Sequence, residues 1–156
     1  MSVRSSVFGD EKQNKRNKKP FKGSKLLTTS ERRGRMDEDR FDFEKLNVYQ
    51  KALQYVDFVY EITKDFPKAE LFALTDQFKR ASISICLNIA EGSGGTKVEF
   101  HRFLKIARRS VRECIAIAEI ACRQGFISDN VRQQSRSFCL ELSKMIHGLI
   151  KSLKVG

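Results

Sequence analysis

From about residue 42 onward, apolar residues recur every three or four positions, and no stretch alternates with a period of two. Pro67, the cluster Gly92, Gly94 and Gly95, and then Gly125 divide this region into four blocks of about 22–28 residues. In the first block, about 42–65, Leu46, Tyr49, Leu53, Val56 and Tyr60 form one stripe, and Val48, Ala52, Tyr55, Val59 and Ile62 a second beside it. Together they predict one broad buried face, with Pro67 ending the helix. In the second block, about 70–92, Leu71, Leu74, Phe78, Ala81, Ile85 and Ile89 lie on one side, while Phe72, Ile83, Cys86 and Ala90 fall elsewhere. That helix is expected to be buried on more than one face, with Gly92 as its stop. The third block, about 97–124, opens on Thr96-Lys-Val-Glu99, a capping box, and closes at Gly125. The fourth, about 128–153, starts on the cap Ser128 and carries Val131, Phe138, Leu142, Met145, Leu149 and Leu153. Short connections make successive helices antiparallel neighbours, so the expected fold is all-α, an up-down-up-down four-helix bundle over 40–156.

The first forty residues do not share this pattern. They hold eight apolar residues and twelve Lys/Arg against six Asp/Glu. Lys12 to Pro20 contains no apolar residue at all, so ordering it has no compensating burial. Residues 1–39 are expected to be a disordered basic tail. It is open whether this tail adds affinity for phosphates or is only a solvated extension from an upstream start, with Met36 beginning a shorter chain.

Composition narrows the function classes. The 156 residues carry a net charge of +11, which favours a polyanionic partner (RNA, DNA or an acidic membrane surface) and argues against an enzyme that handles small cations. The four cysteines, Cys86, Cys114, Cys122 and Cys139, form no CxxC pair, which excludes a zinc ribbon and a disulfide-dense scaffold. They read as small core residues with reduced thiols. The early residues lack the apolar run of a secretory signal, and the most apolar stretch, Ala81 to Ala90, is too short to span a bilayer. A cytoplasmic protein is expected.

The strongest candidate for chemistry is the third helix. At 100° per residue, Lys97, Arg102, Lys105, Arg108, Arg109 and Arg112 share one arc of about 140°. Glu119, far along the helix, is the only acid in that arc, whereas a face built for stability interleaves Glu with Lys. A polyanion would relieve the mutual repulsion. Lys79 and Arg80 on the second helix extend the patch in this reading. No aromatic residue lies in the stripe, so binding is expected to follow charge and shape rather than base stacking. The apolar residues fill the other half of this helix, more than one bundle contact needs, so part of that arc is expected to face another subunit.

Other candidates are weak. His101 and His147 lie on different helices with no ligand partner at metal spacing, and Asp37-Glu-Asp39 is an acidic run ahead of the bundle. Gly92-Ser-Gly-Gly95 follows a helix and lacks the Lys-Ser/Thr ending of a nucleotide loop, so it reads as a helix–helix turn. No catalytic triad or carboxylate dyad emerges. No enzyme activity, metal or cofactor is expected.

Several motifs stand in a recognisable order: Phe43-Glu-Lys-Leu-Asn-Val-Tyr-Gln50, Phe66-Pro67, Leu74-Thr-Asp-Gln77 with Arg80-Ala81, Asn88-Ile-Ala-Glu-Gly92, then Glu99-Phe100 and Phe103-Leu104. Over about residues 41–127 the chain resembles the four-helix-bundle family of proteins encoded in intervening sequences of bacterial 23S ribosomal RNA. That family includes the accessory variability determinant of diversity-generating retroelements. The resemblance implies a homopentamer with a five-fold barrel, basic surfaces, RNA or reverse-transcriptase partners and no known catalysis. Two positions depart from the pattern: Cys86 stands where the family often has Pro, and Gly95 where it often has Arg. The second removes one cation near the loop. Asn88 and Glu91 are expected to form a helix-end hydrogen-bond network. An RNA-processing nuclease is a further alternative, supported only by the genomic setting of the family.

Overall fold

The computed structural model describes residues 40–154. The tail expected over 1–39 lies outside the described residues. A 3-10 turn, Asp42–Lys45, leads into α1, Asn47–Ile62. A 3-10 turn Lys68–Glu70 and a π turn Leu71–Thr75 lead into α2, Asp76–Ser93. Then come α3, Lys97–Arg123, and α4, Asp129–Ser152. The described elements are all helical. Each helix packs on its chain neighbours, and α4 closes back on α1. α1 and α3 therefore stand on one diagonal and α2 and α4 on the other, the expected up-down-up-down bundle.

Local chemistry explains the ends. Glu44 accepts the Phe41 N–H at 2.9 Å, and Gln50 donates to the Glu44 carbonyl at 2.8 Å. These motif residues tie the first turn to α1. α1 stops at Ile62, well before Pro67, and the Thr63 hydroxyl donates to the Val59 carbonyl at 2.8 Å. Phe66 is buried against the Phe126 ring, 5.6 Å between centroids, and closes that end of the bundle. The α-helical part of the second block starts at Asp76, not near 70, because the chain first passes through the π turn. α3 opens on the capping box expected from its sequence: Glu99 N–H donates to Thr96 Oγ1 at 3.3 Å and Thr96 N–H to Glu99 Oε2 at 2.7 Å. α3 ends in a Schellman motif. Gly125 has φ +74°, Phe126 N–H donates to the Ala121 carbonyl, and Gly125 N–H donates to the Cys122 carbonyl. Ser128 caps α4 by accepting from Val131 N–H.

The core lies along the bundle axis. Tyr55, Phe78, Ile85, Ile89, Leu104, Leu142 and Ile146 are its largest fully buried members. In α1 the core stripe is Val48, Ala52, Tyr55 and Val59. The companion stripe is only partly covered, and Leu53 and Tyr60 remain exposed, because α1 packs chiefly on α2 and α4. Buried polar groups are bridged. Tyr55 OH meets Ser135 Oγ at 2.9 Å between α1 and α4, and Ser84 Oγ meets Ser110 Oγ at 2.9 Å between α2 and α3. Asn88 donates to the Ser84 carbonyl at 2.7 Å and joins the second bridge. Glu91 is exposed and takes no part in it.

Gly92 lies inside α2 rather than at its end, and Gly94 is the C-cap. A Cβ at Gly92 would stand 2.6 Å from Phe103 Cβ and 2.9 Å from Phe100 Cδ2. The glycine is there so that α2 and α3 can approach closely just before their turn. That gives the motifs Asn88 to Gly92, Phe100 and Phe103 one shared packing role. Of the expected turn Gly92 to Gly95, only Gly94 and Gly95 lie between the helices, with Thr96 capping α3.

Candidate nucleic-acid interface

α3 has the longest helical run and is the most strongly two-sided. Its buried residues are Leu104, Ala107, Ser110, Val111, Cys114, Ile117, Ala118 and Ala121. They spread over a wide arc because α3 packs on both α2 and α4. The apolar half of α3 is therefore covered within the chain. It leaves no large free surface for the subunit contact that its width suggested.

Lys97, Arg102, Lys105, Arg109 and Arg112 are exposed, and Arg108 is half-buried. Among the described residues, none of the six forms an ion pair. The three carboxylates of α3 are engaged elsewhere. Glu99 accepts from the Thr96 backbone N–H, then from its hydroxyl, and both bonds hold its carboxyl below the usual range. Glu113 bonds to the amide of Gln77 on α2. Glu119 accepts from Arg123 at 2.9 Å and from Arg132 of α4 at 3.2 Å, and these partners lower its pKa, Arg123 foremost. Arg132 is itself held charged, first by Asp129 at 2.6 Å. What remains on the outward side of α3 is a run of cations, none of them ion-paired among the described residues.

The two α2 cations behave differently from the six on α3. Lys79 turns toward α1 and sits over the Tyr60 ring, 4.7 Å from its centroid. Arg80 pairs with Asp76 of its own helix at 3.7 Å. The structure thus groups the six α3 cations on one face and directs Lys79 away from it.

The remaining titratable groups are structural. Burial raises the Cys86 and Cys139 thiols to about 11 and the Cys114 thiol further still. Burial also pushes the Tyr55 phenol far up. His101 is half-buried and His147 exposed, on α3 and α4. Among the described residues, no three His, Cys, Asp or Glu side chains gather as a metal site. No helix among them is long and apolar enough to cross a membrane.

A set of exposed apolar residues escaped the sequence reading. Six of the nine large exposed apolar residues belong to α1, α2 and the turns flanking them. They are Phe41 (72% exposed), Leu53, Tyr60, Leu71, Phe72 (92%) and Leu87 (61%). For Leu53 and Tyr60 the signal lay in the double stripe of α1, which is wider than α2 and α4 cover.

An all-α four-helix bundle with one unneutralised basic helix face defines the class. Within that class, the chain belongs to the 23S rRNA-intervening sequence protein family, whose profile matches residues 44–148. Among solved structures it is similar to a protein of unknown function of the S23 ribosomal protein family from Bacteroides thetaiotaomicron VPI-5482. The identity is 23%, the match covers 67% of this chain and 98% of that one, and the TM-score is 0.62. That likeness shows the fold. No curated protein matches the sequence.

Proposed function

We propose that this is a non-enzymatic protein that binds structured RNA through the outward face of α3. The observation behind this reading is the set Lys97, Arg102, Lys105, Arg108, Arg109 and Arg112, without ion partners among the described residues, while the α3 carboxylates are engaged elsewhere. Phosphates supply the missing counter-charge. Contacts of this kind release counterions, so affinity falls steeply with salt. Four free thiols suit the reducing cytoplasm. The test is the triple variant Arg108→Glu, Arg109→Glu, Arg112→Glu. It should lose binding to a structured RNA while its circular dichroism stays helical; unchanged affinity would sink the proposal.

A second reading, docking of a protein, is favoured by the exposed apolar set on α1, α2 and their flanking turns. Its six side chains offer roughly 600 Å² of apolar surface, approaching the ~800 Å² that one partner gives to a standard interface. A further copy of the chain is the simplest occupant, and the family resemblance makes a homopentamer the expected assembly. A reverse transcriptase is the other partner that the resemblance suggests. Sedimentation of wild type and Leu87→Lys separates these cases. Self-association predicts an oligomer that the variant weakens, and a monomeric wild type contradicts it.

A further inference from the structure

We infer that the outward face of α3 is shaped for duplex RNA, engaging the phosphates of both strands across the shallow minor groove of an A-form helix. This rests on the phosphate-binding reading above and deepens it. The six cations do not form one line. At 100° per residue, Lys97, Lys105, Arg108 and Arg112 cluster in one row, and Arg102 and Arg109 form a second row about 90° around the helix. With side chains extended, the two rows of charged tips stand roughly 10–13 Å apart. A single strand presents one phosphate track and has no use for the second row. A duplex presents two tracks separated by a groove.

The floor between the rows agrees with that. Val98 and Ala116 fall there, both exposed, and both short. They offer no aromatic ring on which an unpaired base would stack and no amide to read a base edge. Such a floor tolerates a wide, flat groove and reads shape rather than sequence, as recognition of A-form RNA requires. The first row runs about 22 Å along the axis, from Lys97 to Arg112, and the second about 10 Å, from Arg102 to Arg109. Arg102 and Arg109 lie on the side of α3 next to α2, where Glu113 bonds to Gln77 and to neither arginine. These two arginines are the determinants of duplex preference.

The experiment uses the full chain and three probes: a 20-base-pair RNA duplex, one of its strands chosen to be unstructured, and the DNA duplex of the same sequence. Affinities are measured over a salt series. The duplex RNA should bind at least about tenfold more tightly than the strand, since it offers more phosphates within reach. Arg102→Gln with Arg109→Gln should bring duplex affinity down toward that of the strand. It should also make the slope of log affinity against log salt shallower by about two, one unit per lost phosphate contact. Strand affinity should change little. Lys105→Gln with Arg112→Gln is the companion variant and should weaken both RNA probes alike. Equal wild-type affinity for duplex and strand, equal losses in the Arg102/Arg109 variant, or equal affinity for RNA and DNA duplexes would each overturn the inference and leave phosphate binding standing. Failure to bind any probe would overturn the phosphate-binding reading itself.

Discussion

Replacing Gly92 by alanine isolates the contact that sets the α2–α3 spacing. In an open helix the change favours folding by about 0.5–1 kcal/mol, because glycine loses more chain entropy. Here the new methyl would stand 2.6 Å from Phe103 Cβ. Phe103 Cβ is fixed to the α3 backbone, so no rotamer change moves it away, and the two helices must part. Phe100 Cδ2, at 2.9 Å, belongs to a ring that can turn. Overpacking of this kind costs about 1–3 kcal/mol, which offsets the entropic gain and leaves a net loss of up to about 2.5 kcal/mol. Gly148 supplies the control. It is exposed within α4, and a Cβ there meets nothing within 4 Å. Gly148→Ala should therefore stabilise the fold by about 0.5–1 kcal/mol. Urea unfolding of both variants beside the wild type reads the difference. With a slope of about 1–2 kcal/mol per molar, the Gly92→Ala midpoint should fall by up to about 1–2.5 M and the Gly148→Ala midpoint should rise. Phe103→Ala should not rescue Gly92→Ala, since the offending Cβ remains. If Gly92→Ala is as stable as Gly148→Ala, the close approach of α2 and α3 is wrong.

Three further outcomes follow from the core and the caps. Titration of native protein with an aromatic disulfide should label Cys122 rapidly and spare Cys86, Cys114 and Cys139, which are buried with raised pKa values; all four should react after unfolding, and fast native labelling of Cys114 would contradict the packing. Tyr55→Phe leaves Ser135 Oγ buried without its partner at 2.9 Å and should cost about 1–2 kcal/mol in urea unfolding, while a neutral result would remove the bridge from the account. Glu99 has a lowered pKa in the folded protein, so its contribution is complete above the unfolded value, near 4.3, and is lost as pH falls through the folded value. Thermal melts from pH 6 to pH 3 should show a smaller acid loss in Glu99→Gln than in wild type.

The helices were legible because their boundaries are local. Thr96 with Glu99, Ser128, and Gly125 at positive φ act within a few residues of themselves, and each stands where its sequence placed it. Core faces were legible only in part. The double stripe of α1 did not say which half would be covered, since that depends on how many neighbours α1 has. The π turn at Leu71–Thr75 was invisible, because it leaves the apolar spacing unchanged until the helix has begun. Gly92 read as a stop because a glycine at a helix end and one at a helix crossing look alike until the facing residues, Phe100 and Phe103, are in place. The six cations of α3 were legible as one face from periodicity. The engagement of Glu113 by Gln77, 36 residues away in sequence, was not. Lys79 was grouped with the stripe on charge alone, and its seat over Tyr60 is a tertiary fact.

The decisive measurement is binding of a structured RNA by the full chain and by residues 36–156, each at about 50 and 200 mM salt. The account predicts that the shorter chain binds tightly at low salt and loses several orders of magnitude at the higher salt, since the α3 face carries the interaction. Binding by the full chain alone would place the activity in the first 35 residues and contradict the account.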